Sequence, residues 1–147
     1  MLETFTRSGR EDMQNYYQQA FGEFDPQNDE FVAVKFALSV LVMDGRFGEL
    51  ADLLTDGHAI GALEGVPGWS LERRDSGPSS DMPGYADWPV GKSFRAYVNP
   101  NEFTLNRPEI FMDTEAFHSY VRKILAASTP SNCPLPDELM RIRSLIV

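Results

Sequence analysis

The chain has 147 residues, within the usual range for one domain, and 42% of them are hydrophobic, including ten Phe, five Tyr and two Trp. This composition excludes an intrinsically disordered chain and predicts a packed core. The formal net charge is −9, which argues against direct nucleic-acid binding because the phosphate backbone is also negative. We expect a single domain over residues 1–147.

The negative charge lies in the first two thirds of the chain. Residues 1–56 contain 11 acidic and 4 basic side chains, residues 57–91 contain 5 and 2, and residues 92–147 contain 6 and 7. An acidic surface of this kind attracts a basic protein by electrostatic steering, although acidity can equally serve solubility. The charge therefore favours a basic protein partner over a nucleic acid.

The sequence carries no sign of a membrane or secreted protein. No segment reaches the ~18 uncharged apolar residues of a membrane span, and the amino terminus MLETFTRSGRED lacks a hydrophobic signal core. Cys133 is the single cysteine, so the chain has no second thiol for an internal disulfide or a thiolate metal site. We expect a cytoplasmic protein.

Helical periodicity runs through the first third. The first predicted helix lies between Gly9 and Gly22, with its apolar face formed by Met13, Tyr16, Tyr17, Ala20 and Phe21. A second helix is predicted from about Glu30 to Met43, with Asp29 offering a side-chain oxygen to its first amides. Its four valines also fit a strand, but about 14 residues is long for a strand. We therefore predict a buried helix.

A short third helix follows the break at Asp44-Gly45. Its apolar residues Phe47, Leu50, Ala51 and Leu54 are spaced i, i+3, i+4, i+7, and Gly57 closes it. The second and third helices should form a hairpin. The next segment, from His58 to Pro67, predicts a short strand or extended stretch, with Trp69 and Leu71 as its candidate continuation.

The second half predicts two strands and two further helices. Phe94, Ala96 and Val98 alternate with polar residues, and a second strand is predicted from Glu109 to Met112. Asp113 should cap an amphipathic helix, and a short helix should end the chain. The apolar stripes of these helices are Phe117, Tyr120, Val121, Ile124 and Leu125, and then Leu139, Ile142 and Ile146. The predicted fold is α+β, with a helical hairpin and further helices packed on a small, mostly antiparallel sheet.

The sequence contains no complete set of catalytic residues. His58 and His118 could act as bases or metal ligands, but His58 follows the helix terminator Gly57 and His118 lies at the edge of an apolar stripe. Cys133 sits in a turn without a neighbouring base. No GxSxG, GxGxxG, P-loop, HExxH or calcium-loop pattern occurs. We expect no enzyme activity, no cofactor and no metal site.

Residues 73–91, RRDSGPSSDMPGYADWPVG, predict a long surface loop. Loops longer than about 12 residues in compact domains are usually functional or disordered. This loop combines carboxylates, which can meet a partner's cations, with aromatic side chains that can anchor an interface. The alternative is that Tyr85 and Trp88 cover the core while the aspartates are solvated. The candidate residues in the loop are Asp75, Asp81, Tyr85, Asp87 and Trp88.

Three segments resemble the immunity proteins that are paired with ribonuclease toxins in bacterial contact-dependent growth inhibition. They are FALSVLVMDGRFGELADLLTDGHAIGA, KSFRAYV and PEIFMDTEAFHSYVRKIL. The resemblance as a whole spans roughly residues 31–127. The shared order is a helical hairpin with an (E/D)GRF-like turn, a glycine-containing segment, an acidic loop, strands and a closing amphipathic helix. The chain departs from this pattern in the connector Asn101–Pro108 and in its proline-rich tail.

The resemblance implies a cytoplasmic antidote that binds one toxin domain and blocks its active site or substrate entry. Glu72, Asp75, Asp81 and Asp87 would then pair with toxin cations, and Tyr85 and Trp88 would anchor the interface. The charge favours the same partner independently, because a nuclease needs a basic groove for RNA and an acidic protein can occupy it.

Two other functions stay open at the level of the sequence. One is a small enzyme or ligand-binding domain with a pocket near His58, Trp69 and Tyr85. The other is an acidic adaptor that binds a protein other than a toxin. The sequence does not determine the oligomeric state.

Overall fold

The computed structural model of the chain describes residues 7–65, 68–74, 88–128 and 136–146. The helices in these ranges are α1 (Arg7–Phe21), α2 (Val32–Met43), α3 (Phe47–Leu54), α4 (Thr114–Ser128) and α5 (Pro136–Leu145). The strands are β1 (Ala62–Gly65), β2 (Trp69–Arg73), β3 (Phe94–Val98) and β4 (Glu109–Met112). They form an antiparallel sheet in the order β1-β2-β3-β4. The predicted α+β fold is confirmed.

Helix α2 is the centre of the core. Ten of its residues are buried, because a helix that is apolar on all sides must be covered on all sides. It packs on the sheet, chiefly on β3, and on α1 and α4. The helix begins at Val32, two residues after the predicted start, and just before it the Phe31 N–H donates to Asp29 Oδ1 at 2.9 Å.

The other predicted helices are confirmed by the burial of their apolar faces. Helix α1 begins at Arg7, ahead of the predicted limit at Gly9, and ends before Gly22, whose φ is 90°. Helix α4 is capped as predicted, with the Ala116 N–H donating to Asp113 Oδ1 at 2.8 Å. The side chains through which these helices pack into the core are Met13, Tyr17, Phe117, Val121, Ile124, Leu139 and Ile142.

Helices α2 and α3 are joined by the predicted turn but do not pack side by side. Gly45 has a φ of 70° in this turn, a conformation that glycine adopts without strain. Beyond it, α3 packs against α5, β1 and β2. The guanidinium of Arg141 in α5 reaches Asp52 Oδ1 in α3 at 2.8 Å. The apolar face of α3 is therefore covered by the end of the chain, which periodicity alone did not indicate.

The segment from His58 to Leu71 corrects the predicted single extended stretch. It folds back as two antiparallel strands, with Leu63 opposite Leu71. The Gly68 N–H donates to the Gly65 carbonyl at 2.7 Å, and Gly68 has a φ of 84°. The turn that closes at Gly68 thus outweighs the weak alternation on either side of it.

The predicted loop also begins later than residue 73. Arg73 is the last residue of β2 and is 3% exposed, on the inner face with Trp69 and Leu71. The Arg74 N–H still donates to the Ser93 carbonyl at 2.7 Å, so β2 stays beside β3 up to that point. A basic residue next to a loop was predicted as surface, whereas the fold encloses it.

Candidate functional site

The sheet has an inner face that packs on α2 and an outer face that does not. Side chains alternate along each strand, and the inner ones, such as Leu71 and Phe94, are buried. The outer face has two cross-strand rows, Ala62, Glu72, Arg95 and Phe111 in one, and Glu64, Ser70, Tyr97 and Glu109 in the other. All of these outer side chains are half-buried or exposed.

Three charged side chains cross the middle of the outer face. Arg95 on β3 lies between Glu72 on β2 and Glu109 on β4, and it forms ion pairs with both. Its Nη2 is 2.6 Å from Glu109 Oε2, and the guanidinium lies 5.0 Å from the centre of the Tyr97 ring. These contacts hold three strands together through their outward side chains.

The environment of Arg95 fixes its charge. Burial by itself would lower the pKa of Arg95, but hydrogen bonds and charge from Glu109 and Glu72 raise it above its ordinary value. With one guanidinium between two carboxylates, the trio carries a net charge of −1. The exposed Glu64 adds a further negative charge to the second row.

An aromatic contact lies beside this charged trio. Trp88 packs edge-on against Phe111, with ring centroids 5.2 Å apart and planes 69° apart. Phe111 is the register partner of Arg95, so the aromatic pair adjoins the charges on the same face. Both aromatic side chains are half-buried. The outer face therefore combines aromatic surface with an excess of carboxylate.

Two of the residues predicted to bind a partner lie in the described part of the chain, and both are on this face. Glu72 pairs with Arg95, and Trp88 packs on Phe111, outside the core. The four others, Asp75, Asp81, Tyr85 and Asp87, lie outside the described residues. The described residues that flank their segment in the chain are Arg74, whose N–H is bonded to the Ser93 carbonyl, and Trp88, which packs on Phe111.

Sequence reasoning missed Arg95, Tyr97, Glu109 and Phe111 as members of the site. The alternation of Phe94, Ala96 and Val98 already predicted an inner face for that strand, so it assigned the intervening Arg95 and Tyr97 to the opposite face. The placement of Glu109 and Phe111 beside them depends on the strand register. No local pattern gives that register.

The two histidines occupy separate environments. His58 Nε2 is 3.5 Å from Asp52 Oδ1, and its Nδ1 accepts the Ile60 N–H at 2.9 Å. His118 lies on α4, with its ring 6.4 Å from that of Phe94. Burial, and then the charge of Arg122, lower the pKa of His118. Among the residues that the structure describes, neither arrangement pairs a histidine with a candidate nucleophile.

The pocket considered near His58 and Trp69 is not supported by the position of Trp69. Its side chain is 1% exposed and belongs to the core, with the guanidinium of Arg46 5.2 Å from its ring. Trp69 therefore offers no surface to a ligand, and Tyr85 lies outside the described residues. In residues 7–65, 68–74, 88–128 and 136–146, no group of three or more His, Cys, Asp or Glu is arranged to hold a metal ion.

The comparisons with known proteins add no relative. No protein-family model, curated protein or solved structure matches this chain. Across the described residues, the helices are too short or too polar to cross a membrane.

Proposed function

We propose that this chain is an immunity protein that binds a cognate toxin domain, a basic nuclease, and occludes its active site. The observation that carries the proposal is the outer face of the sheet. There the two negative charges of Glu72 and Glu109 outnumber the single positive charge of Arg95, and the aromatic pair of Trp88 and Phe111 lies beside them.

The chemistry of this face suits a basic partner. Carboxylates accept bidentate hydrogen bonds from arginine, and half-buried aromatic rings supply rigid contact area at interface centres. Glu72 and Glu109 are already held in place by Arg95, so less side-chain entropy is lost when a partner's cation binds. A nuclease presents such cations in the groove that holds its RNA.

The size of the outer face indicates that the interface extends beyond it. Four strands spaced ~4.8 Å apart and about 17 Å long give a plane of roughly 300 Å². A specific complex buries about 800 Å² on each partner. The remaining area must come from other segments of the chain, and the sequence between Arg74 and Trp88 supplies the predicted contact residues Asp75, Asp81, Tyr85 and Asp87.

The test takes the product of the reading frame immediately upstream as the candidate toxin domain and measures its cleavage of a labelled RNA. Stoichiometric loss of cleavage on adding this chain supports the proposal. The Glu109→Lys variant changes the charge of the trio from −1 to +1, so its affinity should fall at least about tenfold and lose its salt dependence. Truncation of the anchor in Trp88→Ala should weaken binding by a similar factor.

A matched control separates the outer face from net charge. Glu23→Lys makes the same charge change at an exposed residue that follows α1 and lies outside the sheet. This variant should inhibit like the wild type. Equal losses in Glu23→Lys and Glu109→Lys would remove the outer face from the interface, and binding without inhibition would favour an adaptor over an immunity protein.

A further inference from the structure

The two edge strands of the sheet differ in how their free backbone groups are used. At the β1 edge, Arg46 Nη1 donates to the Glu64 carbonyl at 2.9 Å. At the β4 edge, a groove of about 650 Å³ runs between the strand and Glu30 and Phe31 at the start of α2. An outward carbonyl of the β1 edge therefore has a partner, whereas the β4 edge faces an open groove.

The register identifies which backbone N–H and C=O groups of β4 point away from β3. The Val98 N–H donates to the Pro108 carbonyl at 2.8 Å, and Ala96 is opposite Ile110. In an antiparallel ladder, hydrogen-bonded residues alternate with residues whose backbone groups point away. Those of Glu109 and Phe111 therefore point outward, and within the described ranges no hydrogen bond reaches them.

We propose that the β4 edge pairs with the β4 edge of a second copy of this chain, antiparallel, about a twofold axis at Ile110. In this register Glu109 is opposite Phe111 of the second copy. The N–H of each residue then donates to the carbonyl of the other, on both sides of the axis. The result is one continuous sheet of eight strands.

Charge selects this register among the possible ones. An axis at Glu109 places two glutamates directly opposite, and an axis at Phe111 places Glu109 opposite Asp113, so both are unfavourable. The axis at Ile110 places Arg107 opposite Asp113 of the second copy, on both sides of the axis. Arg107 and Asp113 are both exposed, and neither has an ion-pair partner in the described residues. An axis that passes between two residues would place residues whose backbone groups point outward opposite residues whose groups point towards β3. The two strands could then form no regular ladder of hydrogen bonds.

The dimer goes beyond the proposed function and does not depend on it. Pairing at the edge leaves the outer face uncovered and joins the two outer faces side by side. A monomeric chain that still inhibits the toxin would overturn the dimer and leave the immunity function standing.

Sedimentation equilibrium over a range of concentrations tests the assembly, with circular dichroism as a check on folding. The wild type should form a dimer. Phe111→Pro removes an outward N–H from each copy without touching the bonds to β3, so the dissociation constant should rise about thirty-fold. Arg107→Glu should also weaken the dimer, whereas Lys123→Glu, with the same charge change at an exposed position on α4, should not.

Cysteine cross-linking tests the register. In a Cys133→Ser background, Ile110→Cys places two thiols on the axis at a Cα separation of ~4.5 Å, which a disulfide can span. Arg107→Cys places its two thiols roughly 20 Å apart, and it should not cross-link. A monomer at all concentrations, a dimer unchanged by Phe111→Pro, or equal cross-linking of the two cysteine variants would each overturn the proposal.

Discussion

Replacing Arg73 with methionine should cost more stability than any surface substitution in this protein. Arg73 is 3% exposed, and its guanidinium donates to the carbonyls of Asp52, Leu53, His58 and Ile60 at distances between 2.7 and 3.1 Å. Two of these carbonyls, those of Asp52 and Leu53, lie in the last turn of α3, where few helical amides are left to bond them; that of Asp52 also accepts the Thr55 N–H at 3.1 Å. The side chain thus ties β2 to α3 and to the segment before β1.

The magnitude follows from these contacts. The carbonyls of Asp52, Leu53 and Ile60 share the two hydrogens of Nη1, and the His58 carbonyl accepts from Nη2, so they amount to three full hydrogen bonds. At about 2 kcal/mol for each bond from a charged donor, three contribute about 6 kcal/mol. Methionine avoids the several kcal/mol that desolvation of a guanidinium costs, so about half of that sum is offset. The expected loss for Arg73→Met is about 3 kcal/mol, out of a typical total of about 5–15 kcal/mol.

Urea unfolding measures this loss directly. With a slope near ~2 kcal/mol per molar urea, the midpoint should fall by about 1.5 M. Arg73→Lys should lie between the wild type and Arg73→Met, because an ammonium keeps the charge but cannot reach all four carbonyls. Arg143→Met is the control, since Arg143 is exposed and its side chain makes no hydrogen bond within the described residues. A loss for Arg73→Met within about 1 kcal/mol of this control would refute the reasoning.

Three further predictions concern pH and capping. Burial alone would raise the pKa of Asp29, but Lys35, 2.7 Å away, helps to lower it. The stability that ionised Asp29 contributes should be present above about pH 4 and lost below it. An equally steep loss of stability with falling pH in Asp29→Asn would contradict this. Burial and the charge of Arg122 lower the pKa of His118 in the folded state, so on acidification the unfolded chain takes up a proton at this histidine first. The urea midpoint should therefore decrease as the pH is lowered from 7.5 to 5.5, and the same decrease in His118→Gln would exclude His118 as its source. Asp113→Ala should lose about 1 kcal/mol and Asp113→Asn much less, and equal melting temperatures of the two variants would argue against the cap.

The local elements of the fold could be predicted because their causes are local. The stripe at Phe117, Val121 and Ile124 needs a buried side, and Asp113 lies next to the amides that it caps. The alternation of β3 likewise follows from the two-residue period of a strand. Each of these patterns is complete within a few residues, so reading the sequence is sufficient.

The site could be predicted in part. Trp88 was named from the composition of the loop and Glu72 from the resemblance to immunity proteins, and both lie on the outer face in the structure. Their neighbours Glu109 and Phe111 join them through the pairing of β3 with β4, whose residues are about 15 positions apart in the chain. A contact of that separation depends on register, and neighbouring residues do not encode it.

The sequence by itself determined the class of the fold, the acidity of the chain, and which side of each helix and strand must be buried. The tertiary structure decided what covers those sides: α3 packs on α5, and Arg73 is enclosed although it was predicted to begin a surface loop. The reason is that periodicity fixes the direction of a side chain but not its partner. Partners are settled by competition among all the apolar faces and unpaired carbonyls of the chain, and at Arg73 four carbonyls outweigh the cost of burying one charge.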